Sequence, residues 1–484
     1  MMPRRSMIGD KRRSCSEIST RRRIFSHLGL GISLCVPALF VFTQATQSTQ
    51  AGAAPAPAAT STTPIRHVVY IIEENHSFDN LLGYWCVQTR RCDGATVGAI
   101  YGGRKIPLTD ANDVVAKAPH TAASLITAID GGKMDGFSLN NYCSAQDSYL
   151  CYTQYRPSQI PNVIALASGF AVSDHTFETF PEPSWGQHID AVAANRDGFT
   201  GDIPGRGNDG VLGPGWGCDS GDNAPWTSPT GKFQWVPACI PDYSLNATQY
   251  PFGGAYKATP AAHIPTIMDE LDAAGISWKI YAGLGGMGNS NGYGWSICPS
   301  FADCLYTSQR NNLVDQKRFI PDAAAGGLPS FSILTPNQVN SEHNNDSMAI
   351  GDNWIGEVIR AIENGPDWSS TAIFLTWDDC GCFYDHVAPP AGFGIRVPMI
   401  IISPYAKAGY DDTADASFAS VLAYVEHTFG VAALSSLDAD AHDYSNSFDY
   451  SQTPLKPAAT TTTPISQAEV RYLKAHPPNP DDPT

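Results

Sequence analysis

The sequence predicts an α/β fold, a mostly parallel doubly wound sheet flanked by helices, with a long irregular excursion between residues 195 and 262. Three observations predict it. Short apolar β-type runs (Val68 to Ile72, Trp278 to Ala282, Phe331 to Leu334, Ile373 to Thr376, Met399 to Ile402) recur along the chain. Between them lie stretches with apolar residues at three- and four-residue spacing, Ala122 to Ile129, Thr266 to Ala274, Ala349 to Ile362 and Phe418 to Phe429. Alternation of this kind builds parallel strands with helices on both faces. Two of the runs also stop at paired acids, Glu73-Glu74 and Asp378-Asp379, which sets oxygen ligands at the carboxyl ends of strands, where open α/β sheets bind ligands.

In chain order, residues 1–53 read as a signal peptide with a twin-arginine flavour. Arg21-Arg22-Arg23 precedes an apolar stretch from Leu28 to Phe42, and Ala51-Gly52-Ala53 offers small residues for cleavage. The stretch contains Pro37 and is short for a span of about 20 residues, so export with no stable membrane span after cleavage is expected. The expected location is secreted, periplasmic or cell-envelope. Residues 54–64 form a linker, and a single domain runs over 65–450 without repeats. The excursion 195–262 is dense in Gly, Pro, Asp and Trp (Trp216, Trp226, Trp235), and long ordered excursions near a site act as lids or specificity walls. The tail 451–484, with Thr460 to Thr463 and a Pro-rich end, is expected to be disordered.

Formal net charge is −17, and removing the leader's eight basic and two acidic residues leaves the rest near −23. A surface that acidic repels nucleic acid and anionic headgroups, so an anionic substrate must be held by local positive charge, which a bound divalent ion supplies best. Of 12 cysteines, Cys15 and Cys35 lie in the leader. The short spacings Cys86/Cys92, Cys143/Cys151, Cys218/Cys239 and Cys298/Cys304 predict four local disulfides in an oxidising compartment. Cys380 and Cys382 flank Gly381, and both a bridge between them and a pair of buried thiols are open.

Glu74-Asn75-His76-Ser77-Phe78-Asp79 and Thr376-Trp377-Asp378-Asp379, the latter continuing through Gly381 to Phe383-Tyr384-Asp385-His386-Val387, resemble two signature segments of the phosphoesterase family. That family includes bacterial and plant phospholipases C and an acid phosphatase, relatives of alkaline phosphatase. Further matches follow in order: His120 to Phe137, Pro183-Ser184-Trp185-Gly186-Gln187-His188, Glu342-His343, Arg396-Val397-Pro398 to Ala406, and Phe429 to Ala441. The resemblance spans roughly residues 65 to 450. It implies an alkaline-phosphatase-like fold and metal-dependent hydrolysis of phosphate esters through a phosphoserine.

Covalent phosphoryl transfer needs an activated hydroxyl, an electrophile to spread charge, and an acid for the leaving alcohol. Ser184, in a turn ahead of a helix expected to begin near Gln187, is the candidate nucleophile. Glu74, Asn75, Ser184, Asp378 and Asp379 form the expected metal shell, for one or more of calcium, magnesium, manganese or zinc. Strand alternation sends Glu73 to the opposite face. His343 and His188 rank first as phosphate donors and general acid, then His120, and His386 last. His67, His175, His427 and His442 fall outside the matching segments. Relatives carry an Asp shortly before the His120 position, where this chain has Lys117-Ala118-Pro119, and others a His where it has Asp411-Asp412-Thr413; both departures bear on substrate choice. The expected substrate is a small phosphate ester or a phospholipid headgroup. Acid phosphatase-like hydrolysis is the first expectation, phospholipase C activity the alternative, and a non-catalytic binding protein on this scaffold a remote third. The sequence does not fix an oligomeric state.

Overall fold

The computed structural model describes residues 63–205, 214–245, 259–285 and 291–477. The signal peptide and most of the 54–64 linker lie outside them. In chain order the elements that position the site are β1 (His67–Glu73), α1 (Ala122–Ile129), α2 (Pro161–Gly169), β2 (Ala171–Ser173), α3 (Ser184–Ala193), β3 (Asn223–Thr227), β4 (Phe233–Pro237), α4 (Ile267–Ala274), β5 (Trp278–Ala282), β6 (Leu313–Asp315), β7 (Phe331–Leu334), α5 (Met348–Glu363), β8 (Thr371–Trp377), β9 (Met399–Ile402), β10 (Asp411–Asp412), α6 (Phe418–Phe429) and α7 (Gln467–Ala475).

Eight strands form the central sheet in the order β6-β5-β7-β1-β8-β9-β2-β10. Only β9 runs against its neighbours, pairing antiparallel with β8 and β2. The sheet is covered on both faces, as the alternating sequence pattern requires. Val68, Tyr70, Ile72 and Phe374 pack towards α3, α4 and α6 through Trp185, Ile189, Leu271 and Leu422. Val69, Ile71, Ile373 and Leu375 pack towards α2 and α5 through Val163, Leu166, Ile355 and Ile359. Each such side chain contributes about 1.5–3 kcal/mol by leaving water. The register of β1 on β8, with Ile72 opposite Thr376 and Glu73 opposite Trp377, carries Glu74 and Asp378 off the sheet side by side. No helix among the described residues is long and apolar enough to cross a membrane.

The expected strands and helices are present, and four disulfides join Cys86–Cys92, Cys143–Cys151, Cys218–Cys239 and Cys298–Cys304. Cys380 and Cys382 are buried free thiols, with Cys382 N–H donating to Cys380 Sγ at 3.0 Å. Two expectations need correction. The helix expected near Gln187 begins three residues earlier at Ser184, because Pro183 is extended and its carbonyl accepts from both Gly186 and Gln187 N–H. The tail is not disordered over 451–477. Its backbone is gripped by side chains of α2 and α5: Thr461 N–H donates to Asn162 Oδ1 at 2.7 Å, Thr463 N–H to Asn353 Oδ1 at 2.7 Å, and Ala458 N–H to Glu363 Oε1 at 2.8 Å. Polar composition hid this ordering, because much of the grip is made by hydrogen bonds, with isolated apolar contacts from Leu455 and Ala458. Within the excursion, β3 and β4 form a hairpin, with Cys218–Cys239 closing the loop that contains it.

Candidate active site

The carboxyl ends of β1 and β8 and the start of α3 converge. Asp378 N–H donates to the Glu73 carbonyl at 2.8 Å, and Asn75 N–H donates to Asp378 Oδ1 at 2.9 Å, so the two strand ends are laced together. The chain then turns back at Gly381, whose φ of +56° and contact with the Asn75 carbonyl leave no room for a Cβ. Glu178 anchors the far side of this turn, accepting from Cys380 N–H at 2.8 Å and Ile395 N–H at 2.9 Å. Glu74, Asn75, Ser184, Asp378 and Asp379 are all fully buried.

Ser184, the first residue of α3, donates from Oγ to Asp379 Oδ2 at 3.3 Å and lies 3.5 Å from the Asn75 amide. With that amide oriented to satisfy both its polar atoms, its nitrogen donates to Asp379 Oδ1 at 3.0 Å and its oxygen accepts from His343 Nε2 at 3.0 Å. His343 Nδ1 meets the Asn344 carbonyl at 3.2 Å. Both ring nitrogens thus face oxygens that only accept, an arrangement the imidazolium completes. The ring stacks on Trp295 at 5.8 Å and meets His120 edge-on at 6.0 Å. His120 Nδ1 is turned to the Ala118 carbonyl at 3.0 Å, fixing the ring.

A family model described as the Phosphoesterase family matches residues 65–432. The chain belongs to the phosphoesterase family. That places it among hydrolases acting on phosphate esters. It is 29% identical to a non-hemolytic phospholipase C of Burkholderia pseudomallei over 221 residues, 34% of this chain and 32% of the relative. The chain therefore aligns with about a third of that relative's length. It is 25% identical to phospholipase C A of Mycobacterium tuberculosis over 449 residues, 78% of this chain and 75% of that one. Among solved structures, a protein in the alkaline phosphatase superfamily from Vibrio parahaemolyticus is similar with a TM-score of 0.35 at 12% identity, covering 80% of this chain and 72% of that one.

The phosphoesterase family is generally metal-dependent, and this chain's residues fit a hard or borderline cation. Glu74, His188 and Asp378 offer ligand atoms within 4.8 Å of one another, all buried. Glu74 Oε2 and Asp378 Oδ2 have no hydrogen-bond partner among the described residues. Burial first, and neighbouring carboxylates second, push the carboxyls of Glu74 and Asp378 upward. Asp379 is raised to about 7 by burial. Acids crowded this way require a cation or protons.

His188 lies against the acids. Its Nδ1 faces the Trp295 carbonyl at 3.0 Å and so carries hydrogen, while Nε2 lies 3.2 Å from Glu74 Oε1 and 3.7 Å from Asp378 Oδ2. Burial lowers the ring's pKa against the opposing pull of Asp378. A neutral ring turned this way presents a lone pair to the carboxylates, a geometry that suits a shared cation.

His386 stands apart from the cluster around Ser184. Its Nδ1 bonds Asp79 Oδ2 at 2.6 Å and its Nε2 Asp93 Oδ1 at 3.1 Å, and it makes no hydrogen bond to Ser184 or the acids around it. Fully buried Arg396 pairs with Asp385 at 3.1 Å and Asp79 at 3.5 Å, so arginine and imidazolium already balance these two buried acids. Asp79, Asp385 and His386 also lie close enough to hold a metal, but the guanidinium occupies that role. Glu73 faces away from Ser184, as alternation predicts, where burial and then Glu342 push its carboxyl upward. Outside the matching segments, His67, His175, His427 and His442 pair with aspartates. Sequence reasoning missed Glu178 and Trp295, whose contributions depend on partners 202 and 107 residues distant.

Proposed function

We propose that this phosphoesterase hydrolyses its ester through a phosphoserine on Ser184. The observation that carries the reading is the Ser184 hydroxyl, buried at the N-terminus of α3, within hydrogen-bonding reach of Asp379 and beside the Asn75 amide that His343 also contacts. A helix N-terminus favours the anion that forms there. In the first displacement the Ser184 Oγ–P bond forms as the bond from phosphorus to the leaving alcohol breaks, with the hydroxyl proton passing to Asp379. His343 gives the Nε2 proton to the departing oxygen; in the second displacement the neutral ring takes a proton from water as the water oxygen–phosphorus bond forms and the Ser184 Oγ–P bond breaks, with Asp379 returning its proton to Oγ. A divalent cation held by Glu74, Asn75, His188, Asp378 and Asp379 against Ser184, whether calcium, magnesium, manganese or zinc, would supply charge that acidifies the hydroxyl and offsets the phosphoryl oxygens. His120, packed on His343, holds that ring and faces the phosphoryl group.

Two substrate readings share this chemistry. Acid phosphatase-like hydrolysis of monoesters needs nothing beyond the site described. Cleavage of phosphodiesters is favoured by the named phospholipase C relatives, one of them matched over most of the chain. Rates on p-nitrophenyl phosphate and p-nitrophenylphosphorylcholine, with and without chelator, separate them. Four short-range disulfides support a secreted or periplasmic enzyme, and the Arg21-Arg22-Arg23 leader supports twin-arginine export.

The covalent route is tested by acid-quenching wild type with labelled substrate, which should trap phosphate on the peptide containing Ser184. Ser184→Ala should be nearly inactive yet still bind vanadate. Inversion at a chiral phosphorothioate, in place of the retention two displacements give, would overturn it.

A further inference from the structure

We infer that Glu342 is a positioning residue for His343, aiming that ring at Asn75 beside Ser184 through contacts with β8, α5 and the segment after β1; this rests on His343 acting as the acid in the reading above. Glu342 directly precedes His343 and is fully buried. Its φ of +65° lies in the left-handed region, which strains a residue that carries a Cβ and persists only where the surroundings over-determine it. Asn75, whose amide oxygen accepts from His343 Nε2, is held in the same region at +66°. The strain therefore lies on both sides of the contact that aims the ring.

Side chain and backbone of Glu342 both hold that conformation. Oε2 accepts from Trp377 Nε1 at 2.8 Å, and Trp377 ends β8 immediately before Asp378. The Glu342 carbonyl accepts from His76 Nε2 at 3.1 Å, just past the end of β1. The side chain crosses α5 at Gly351, where a Cβ would collide with Glu342 Cγ, so the helix leaves room for this residue. Ser341 completes the frame: its carbonyl accepts from Glu74 N–H at 3.0 Å and its Oγ from His343 N–H at 3.2 Å. His343 belongs to neither β1 nor β8, yet these bonds tie it to the ends of both. Burial first, then Asp352, pushes the Glu342 carboxyl well above the usual carboxylate range, and Oε1 has no hydrogen-bond partner among the described residues. Glu342 therefore serves His343 as an acceptor of fixed reach and not as a charge. An apolar side chain would fill the same space without the bond to Trp377, so a polar group here marks orientation and not packing.

The test compares wild type, Glu342→Met, Glu342→Gln, His343→Ala and the Glu342→Met/His343→Ala double variant on two leaving groups. The substrates are p-nitrophenyl and phenyl phosphate, or the same esters of phosphorylcholine should the enzyme take only diesters. Phenolate is the more basic leaving group and depends more on a proton donor than p-nitrophenolate does. Glu342→Met, which fills the space without an acceptor, should lower kcat on the phenyl ester roughly 100-fold and on the p-nitrophenyl ester less than about fivefold. Glu342→Gln keeps an oxygen for Trp377 Nε1 and should stay within about threefold of wild type on both. With His343 already replaced by Ala, Glu342→Met should cost less than about twofold more, because the two residues act as one. Losses that add across this cycle overturn the assignment, as do a Glu342→Gln enzyme as poor as Glu342→Met and loss of bound metal from Glu342→Met by elemental analysis. If His343→Ala loses equally on the two esters, the acid reading fails by itself, and the cycle still decides whether Glu342 acts through His343. Should Glu342→Met not fold, Trp377→Phe removes the same bond from the other side. It must reproduce the larger loss on the phenyl ester, and equal losses or none overturn the positioning role.

Discussion

Replacing His386 with Gln separates a histidine that holds the fold from one that takes part in the reaction. Burial alone would lower its pKa, but the hydrogen bond and charge of Asp79, then Asp385, outweigh this and raise it to about 9 from 6.5. A cation whose pKa is raised on folding stabilises fully below the unfolded value and ceases to do so as pH climbs through the folded one. The window is therefore pH 6.5 to about 9. At about 1.36 kcal/mol per pH unit the interval is worth at most about 3.4 kcal/mol. The ring is 27% exposed and its second partner Asp93 is 55% exposed, so solvent screening reduces this to about 2 kcal/mol. The assay is urea unfolding of wild type and His386→Gln with disulfides intact, at pH 6 and pH 10. The expected gap of about 2 kcal/mol at pH 6 should shrink below about 0.5 at pH 10, while folded variant keeps kcat within about threefold at pH 6. A gap independent of pH would refute the ion-pair argument. A stable variant with kcat lost by orders of magnitude would return His386 to the reaction.

Asp378→Ala should abolish both bound metal and hydrolysis while the chain still folds, since Asp378 meets Glu74 and His188 at the site and its removal relieves crowding among buried acids; elemental analysis showing an active, metal-free enzyme would overturn the metal assignment. Asn162→Ala should destabilise by about 1–3 kcal/mol, the cost of buried groups left without partners, because its side chain donates to Asp352 at 2.9 Å and accepts from Thr461 N–H at 2.7 Å. Limited proteolysis should then cut within 455–477 faster than in wild type, and an unchanged rate would show that the tail is held elsewhere.

What was legible in the sequence was what periodicity and the segment resemblance encode. β1 and β8 announce themselves by unbroken apolar runs ending in acids, and α5 and α6 by apolar spacing. The edge strand Asp411–Asp412 could not be read this way, because two acids carry no strand pattern and their pairing is imposed by β2 alongside. His188 shows the same limit at the site. Its spacing of four from Ser184 puts both on one face of α3, which is visible in the sequence. Which ring nitrogen faces the acids is decided by the Trp295 carbonyl, at the end of a short 3-10 turn that no local pattern ties to α3. For His386 the resemblance places it beside Asp385 but does not show that Asp79, Asp93 and Arg396 enclose it.

The site's acidity follows from strand register. Glu73 and Glu74 are adjacent in sequence but face opposite sides of β1, and only the pairing of Glu73 with Trp377 sets Glu74 beside Asp378. A slip of one residue along β8 would exchange them, presenting Glu73 to Ser184 and turning every apolar side chain of β1 to the wrong layer. The β1 positions Val68, Tyr70 and Ile72 pack into one core layer and Val69 and Ile71 into the other, so packing opposes the slip at five positions at once. The apolar run that forms the strand thus also selects which glutamate reaches the site, and the crowded carboxyls are held together by burial far from where a cation would bind.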